Sequence, residues 1–505
     1  MRRGAAGRSQ PGLQVAEPAR RDAGIRSGKI RGRYSGMTRR LEGGRTGHTL
    51  ADRRAILKWA MMGGGAAVAR LFAGPLAQAA SKPKEEEAQS AVERATRGMP
   101  TPKIRDIKVI EVGGGGVNDS AVVKVITDKD GLYGYGCATH TFPGGRTKLV
   151  TLAVTEYLKP LLVGRTTDRI EQLWQLCYES SYYKNDAVLN CAIGGVCDAL
   201  WDIKGRQAGM PVYQLVGGKC REAADVYLHV GLGAQDPGRQ LVENTRRLLD
   251  TGCRYFLVAM FERDAPGETP YGQPRFEDGA MAFDRDKETR KIRSAFEAFR
   301  KEIPEEIGLG VDVHSLLDPI RGLQFGKDME AFRLFFCEDL FSPEEAGHYK
   351  ILRQQCSTPT AIGELWNNPH EWQPLVEERQ IDYLRHHVSH VGGFTAARKI
   401  ANFAENYEVR FAWHGAPNSP VGSMTNLTLD LTHENFGIHE HIDYTPLVKD
   451  IFQGHLQLKN GYAWISDKPG WGIEVDEALA AKHPITDEHP NGIRVRDGAI
   501  IEGTS

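Results

Sequence analysis

Three carboxylates close three short apolar runs: Leu309-Gly-Val-Asp312, Leu334-Phe-Phe-Cys-Glu338 and Thr360-Ala-Ile-Gly-Glu364. They are spaced 26 and 26 residues apart, about one strand-plus-helix unit of a β/α barrel. At the C-terminal ends of successive parallel strands, Asp312, Glu338 and Glu364 would converge on one point. Such a cluster repels itself and costs several kcal/mol to desolvate. A hard divalent cation with oxygen ligands, most simply Mg2+, removes that cost. Any one of the three taken alone fits the blander role of a helix N-cap. Two residues past Asp312, His314 shares its strand parity, which places an imidazole beside the metal as an acid or base.

The elements that would position these groups follow from the rest of the chain. Its 505 residues suit a barrel of about 250 residues plus another module. Ile107–Val112, Ala121–Thr127 and Gly131–Ala138 read as an antiparallel meander. Helical patterns follow at Leu149–Leu162, Arg169–Tyr178 and Ala187–Gln207, the last with small residues at close-packing spacing. Asp225–Val230 opens a β/α alternation whose later strands end near Glu338, Glu364, Arg385, His414 and Glu440. The expected fold class is therefore α/β, a TIM-type barrel (223–440) capped by an α+β domain built from residues 103–222 and the tail 441–505. A loop at Glu262–Arg285 is long enough to work as a lid.

Charge is asymmetric. Residues 1–60 carry 13 Arg and 2 Lys against 4 acids, a net +11. The net of −1 for the whole leaves about −12 on the remainder, which argues against nucleic acid as a partner. Residues 1–36 are expected to be disordered or untranslated, with Met37 a plausible start. Asp52-Arg-Arg-Ala-Ile-Leu-Lys58, an apolar Gly/Ala-rich run from Trp59 to Ala80 and Ala77-Gln-Ala79 resemble a twin-arginine export signal (37–80), so an exported, periplasmic enzyme is expected. Arg70, Pro75 and the glycines make that run a poor membrane span. Residues 81–102 read as a charged linker. Eight scattered cysteines without a CxxC pair signal neither zinc nor a disulfide framework.

Taken together, Asp312-x-His314, Cys337-Glu338-Asp339, Gly363-Glu364, Asp382-Tyr-Leu-Arg385 with Gly392-Gly393, His414-Gly-Ala, Asn435-Phe-Gly-Ile-His-Glu440 and Pro469-Gly-Trp-Gly resemble the enolase superfamily, in its mannonate-dehydratase-like branch, over about residues 103–490. The resemblance implies Asp312, Glu338 and Glu364 as Mg2+ ligands and His314 as acid/base. It further implies Arg385, His414 and Glu440 in the acid-sugar site and Tyr271 of the long loop as a base. Asn418 stands where the family's acid-bearing turn is shortened. The implied reaction is dehydration of a sugar acid to its 2-keto-3-deoxy form through alpha-proton abstraction and a metal-stabilised enediolate. Val258, where active mannonate dehydratases carry arginine, points away from mannonate itself.

Alternatives are a non-catalytic, exported sugar-acid-binding protein or a racemase. Expected partners are a small sugar acid and further copies of the chain in a homo-oligomer, with no nucleic acid and no stable membrane span. His387 and His390 read as solvated or hydrogen-bonded loop residues, and pairing with a nearby carboxylate is an equal reading of Arg385.

Overall fold

The computed structural model describes residues 101–114, 119–140, 146–232, 236–260, 281–415, 418–485, 493–495 and 497–502. Its N-terminal part is a three-stranded antiparallel sheet, β1 (Ile104–Val112), β2 (Ser120–Thr127) and β3 (Tyr133–Cys137), in that order. Helices α1 (Arg146–Leu152), α2 (Ile170–Tyr178) and α3 (Ala187–Ala208) pack on it. Asp186 starts α3 by accepting a hydrogen bond from the Leu189 amide, and Gly209 ends it in the left-handed conformation (φ 67°). The small residues of α3 do let it lie tightly on β3. A Cβ at Gly136 would sit 1.9 Å from the Gly195 carbonyl oxygen.

Eight parallel strands then close a barrel: β4 (Ala224–His229), β5 (Tyr255–Ala259), β7 (Gly308–Asp312), β8 (Cys337–Glu338), β9 (Thr360–Ile362), β10 (Tyr383–Leu384), β11 (Arg410–Phe411) and β12 (His439–Glu440). The strand β6 (Met281–Phe283) lies outside the ring. Closure comes from β12 pairing with β4 and from a bridge between Phe411 and Phe436. The intervening helices α4 (Pro237–Leu249), α5 (Arg285–Glu302) and α6 (Pro319–Met329) are capped by Asp236, Asp284 and Asp318. These are the acids that do play the bland capping role.

Residue alternation along each strand sorts the core into two layers. Tyr227, Leu257, Phe336, Ala361, Ala412 and Ile438 fill the barrel interior, while Val226, Phe256, Val258, Val311 and Cys337 face the surrounding helices. Two residues beyond four of these six interior side chains the barrel turns polar, with His229, Glu338, His414 and Glu440 two positions after Tyr227, Phe336, Ala412 and Ile438.

The tail returns to the cap. Strands β13 (Phe452–Gln453) and β16 (Glu474–Val475) pair, the hairpin β14 (Gln457–Lys459) with β15 (Tyr462–Trp464) extends β4, and β17 (Ile493–Val495) joins β6 and β18 (Ile500–Glu502). One buried acid knits cap and tail. The Asp202 carboxylate of α3 accepts from the amides of Tyr135 (2.9 Å) and Trp471 (2.8 Å) and from Arg206 Nε (2.9 Å). Seven of the eight cysteines are buried and all are unbridged. Among the described residues no helix is long and apolar enough to cross a membrane.

Candidate active site

The polar layer lies at the C-terminal end of the barrel and opens to a cavity of about 720 Å³ lined in part by Asp312, His314, Glu364, Arg385, His414 and Glu440. Asp312 and Glu338 are direct register partners across β7 and β8. Glu364 lies two residues past β9. Between them Gly363 passes so close to the next strand that a Cβ would sit 2.3 Å from the Arg385 carbonyl carbon.

Glu364 is gripped by two imidazoles, His414 Nε2 at 2.8 Å and His314 Nε2 at 3.3 Å. Burial alone would raise the Glu364 carboxyl. His414 and His314 outweigh it and hold the group well below the carboxylate range. Glu338 behaves oppositely. Burial pushes its pKa well up, Arg385 opposes this, and Asp312, Asp339 and Glu364 add to the rise.

Arg385, 1% exposed, bonds Glu338 Oε1 through Nε, Glu440 Oε2 through Nη2 (2.8 Å) and the Ala412 carbonyl (3.2 Å). Of its two sequence readings, the structure displays carboxylate pairing. Glu440 is equally engaged, since it also accepts from the Gly415 amide (2.7 Å) and meets His229 Nε2 at 2.7 Å. Both residues thus brace the site as well as line it.

The chemistry of the donors can be tested for a metal. Glu338 Oε2 and both oxygens of Asp339 are buried without a hydrogen-bond partner. Glu338, Asp339 and Glu364 bring ligand atoms within 4.8 Å of one another. Clustered, orphaned carboxylate oxygens fit a hard divalent cation. Asp312 is outside this tight trio, and its Oδ1 accepts from the His314 amide at 2.9 Å.

Several expectations need correction. His314 does not continue the strand. β7 ends at Asp312, and His314 and Ser315 turn with left-handed backbones (φ 56° each). The imidazole reaches the cavity through this turn, not by strand parity. Asn418 is not among the cavity residues. It is 2% exposed and accepts from Cys137 Sγ of the cap at 3.0 Å. Of the two readings of His387 and His390 the hydrogen-bonded one holds, since they are buried loop residues with His387 Nδ1 at 2.7 Å from Ser389 Oγ and His390 Nδ1 at 3.4 Å from the Glu364 carbonyl, and their rings stack at 4.4 Å, with His387 leading on to His414 at 5.4 Å. Val258 faces the outer helices, and the site-facing position on β5 is Ala259, the register partner of Asp312. Tyr271 lies outside the described residues. Two residues went unselected in the sequence. Asp339 is one, and His229 is the other, a cavity imidazole ending the first barrel strand, where strand alternation from Tyr227 was a usable signal.

Comparison with known proteins agrees with this geometry. The enolase C-terminal domain-like family matches residues 241–479, and the mandelate racemase / muconate lactonizing enzyme N-terminal domain matches residues 101–217. A D-galactonate dehydratase family member of Salmonella enteritidis is 41% identical over 399 residues, covering 76% of this chain and 94% of the relative. The family member RspA of Pantoea ananatis is 39% identical over 416 residues, covering 79% and 98%. A solved enolase from Pantoea ananatis, with bound D-gluconate and Mg, superposes with a TM-score of 0.74 at 37% identity, covering 80% of this chain and 100% of that one. The chain belongs to the enolase superfamily and, within it, to the D-galactonate dehydratase family.

Proposed function

We propose that the protein is a Mg2+-dependent hydro-lyase that removes water from a sugar acid of the gluconate or galactonate type, giving a 2-keto-3-deoxy acid. The observation that carries this reading is the buried carboxylate ring with orphaned oxygens, set beside the imidazoles of His314 and His414 and opening to one cavity. The gluconate- and Mg-bound relative supports it. Asp312, Glu338 and Glu364 are the proposed protein ligands, and Mg2+ bound there supplies Lewis acidity toward a substrate carboxylate.

The chain's own residues do the rest. Arg385 holds Glu338 and Glu440 in place. His314, at the cavity wall, moves a proton through Nε2 to the departing hydroxyl. His414, fixed by Glu364, orients that carboxylate and faces the same space. Ala259 puts no titratable group at the site-facing position of β5, which supports dehydration over racemisation. His229 adds a strand-borne imidazole on the wall formed by β4 and β12, so His314, which reaches the cavity from a turn, is not the sole acid/base candidate. Export through the segment Asp52–Ala80 is part of the proposal, and Arg53→Lys with Arg54→Lys is expected to retain the precursor in the cytoplasm.

The deciding experiment is turnover of an acid-sugar library with Mg2+ and with EDTA, assayed for keto-deoxy acids and for exchange of the substrate alpha proton in D2O. Deuterated keto-deoxy product without scrambling of recovered substrate is expected. Sugar-acid binding with no product under either condition would establish the binding-protein alternative, and rapid exchange with inversion would establish a racemase.

A further inference from the structure

Strand alternation places Asp339, next to Glu338, on the outer face of the barrel among apolar side chains. The backbone does otherwise. Asp339 adopts a left-handed conformation (φ 43°), uncommon for a non-glycine residue. Its amide donates to the Ala361 carbonyl (3.0 Å), and its own carbonyl accepts from the Ser315 amide (2.8 Å), tying the turn that follows β7 and the end of β8 to strand β9. The redirected carboxylate is 0% exposed, and a ligand atom of it lies within 4.8 Å of those of Glu338 and Glu364. Neither of its oxygens has a hydrogen-bond partner.

A buried carboxylate with both oxygens unmatched, close to other carboxylates, is strongly unfavourable. Arg385 gives it no hydrogen bond, because its guanidinium bonds Glu338, Glu440 and the Ala412 carbonyl, and its charge together with that of His314 only partly offsets the burial. A cation shared with Glu338 and Glu364 would supply what the protein does not. We propose that Asp339 is a fourth carboxylate of the metal centre beside Asp312, Glu338 and Glu364, and that it couples folding stability to metal by destabilising the metal-free state. This rests on the Mg2+ reading above.

The test uses the purified full chain and Mn2+ as a spectroscopic stand-in for Mg2+, with EPR of free Mn2+ to measure affinity and thermal melts in EDTA and in Mg2+. Wild type is expected to bind Mn2+ and to melt higher in Mg2+ than in EDTA. Asp339→Asn, and Asp339→Ser as a second variant, are expected to weaken Mn2+ binding about tenfold or more. Their melting temperature in EDTA should equal or exceed that of wild type, while the rise caused by Mg2+ shrinks. Unchanged Mn2+ affinity in both variants, or melting in EDTA that falls or is lost in both, would make Asp339 a structural acid and overturn this inference alone. Absence of Mn2+ binding by wild type would overturn the Mg2+ reading and this inference together.

Discussion

Two groups of buried acids sit in this molecule and are treated in opposite ways. At the seam between cap and tail, Asp202 has two backbone amides and one guanidinium on its two oxygens. At the barrel mouth, Glu338 keeps one orphaned oxygen and Asp339 two. Both groups are almost fully buried, so burial does not separate structure from chemistry. Satisfaction does. Asp202, its hydrogen bonds complete, stabilises the fold, whereas Glu338 and Asp339, left incomplete at the end of a strand, are held ready for something the chain lacks.

The sharpest way to break that contrast is Glu338→Gln. Turnover should fall by roughly a thousandfold or more and metal binding should be lost with it, as read by equilibrium dialysis. Retained metal would mean the orphaned oxygens are not ligands. Next in size, His314→Asn should cost roughly 10²- to 10⁴-fold in kcat while metal stays bound. A mere KM increase would make His314 a binding residue.

On the structural side, Asp202→Ala leaves the Tyr135 and Trp471 amides unpaired while Arg206 keeps Glu474 and the Ile473 carbonyl, so unfolding free energy should drop by about 2–5 kcal/mol. Urea titration measures this, and any molecules still folded should bind metal normally.

The smallest effect is the most diagnostic. Asp198 lies between the two classes. Its Oδ1 accepts from the Phe394 amide at 2.8 Å and its Oδ2 is unmatched. Burial pushes its pKa up to about 7 against the Phe394 amide, compared with about 3.9 in an unfolded chain. The folded state thus holds the proton longer, and this group's contribution is greatest below about pH 4 and is lost as pH rises to about 7. The change is at most about 4 kcal/mol at 1.36 kcal/mol per unit. Asp198→Asn should therefore gain stability relative to wild type between about pH 5 and pH 8, and a pH-independent difference would discredit the burial account.

How far the sequence reaches also divides along this line. The barrel, its cap and the 26-residue rhythm of Asp312, Glu338 and Glu364 were legible because strand ends and apolar runs are local patterns. Arg385, His414 and Glu440 were legible for the same reason, and all six meet at one end of the barrel. Asp339 was not, since period-two alternation points it outward and a left-handed residue cannot be read from side-chain types. The turn at His314 hid for the same cause. His387 and His390 look like loop residues, and their burial follows from the loop being covered, a long-range fact. Asn418 was placed near substrate by neighbourhood in the chain, but its partner, Cys137, is 281 residues away.

The Asp202 junction has a further consequence, for the nascent chain. Trp471 follows Asp202 by 269 residues, which at roughly 5–20 residues per second is about 13–54 s of translation. Throughout that interval the cap carries a carboxylate whose last amide has not been made. A ribosome that stalls after the barrel but before Trp471 therefore leaves the oldest part of the protein unfinished, with an interior acid exposed to water or searching for substitutes. The tail closes the first domain, and the direction of synthesis makes that closure a late step.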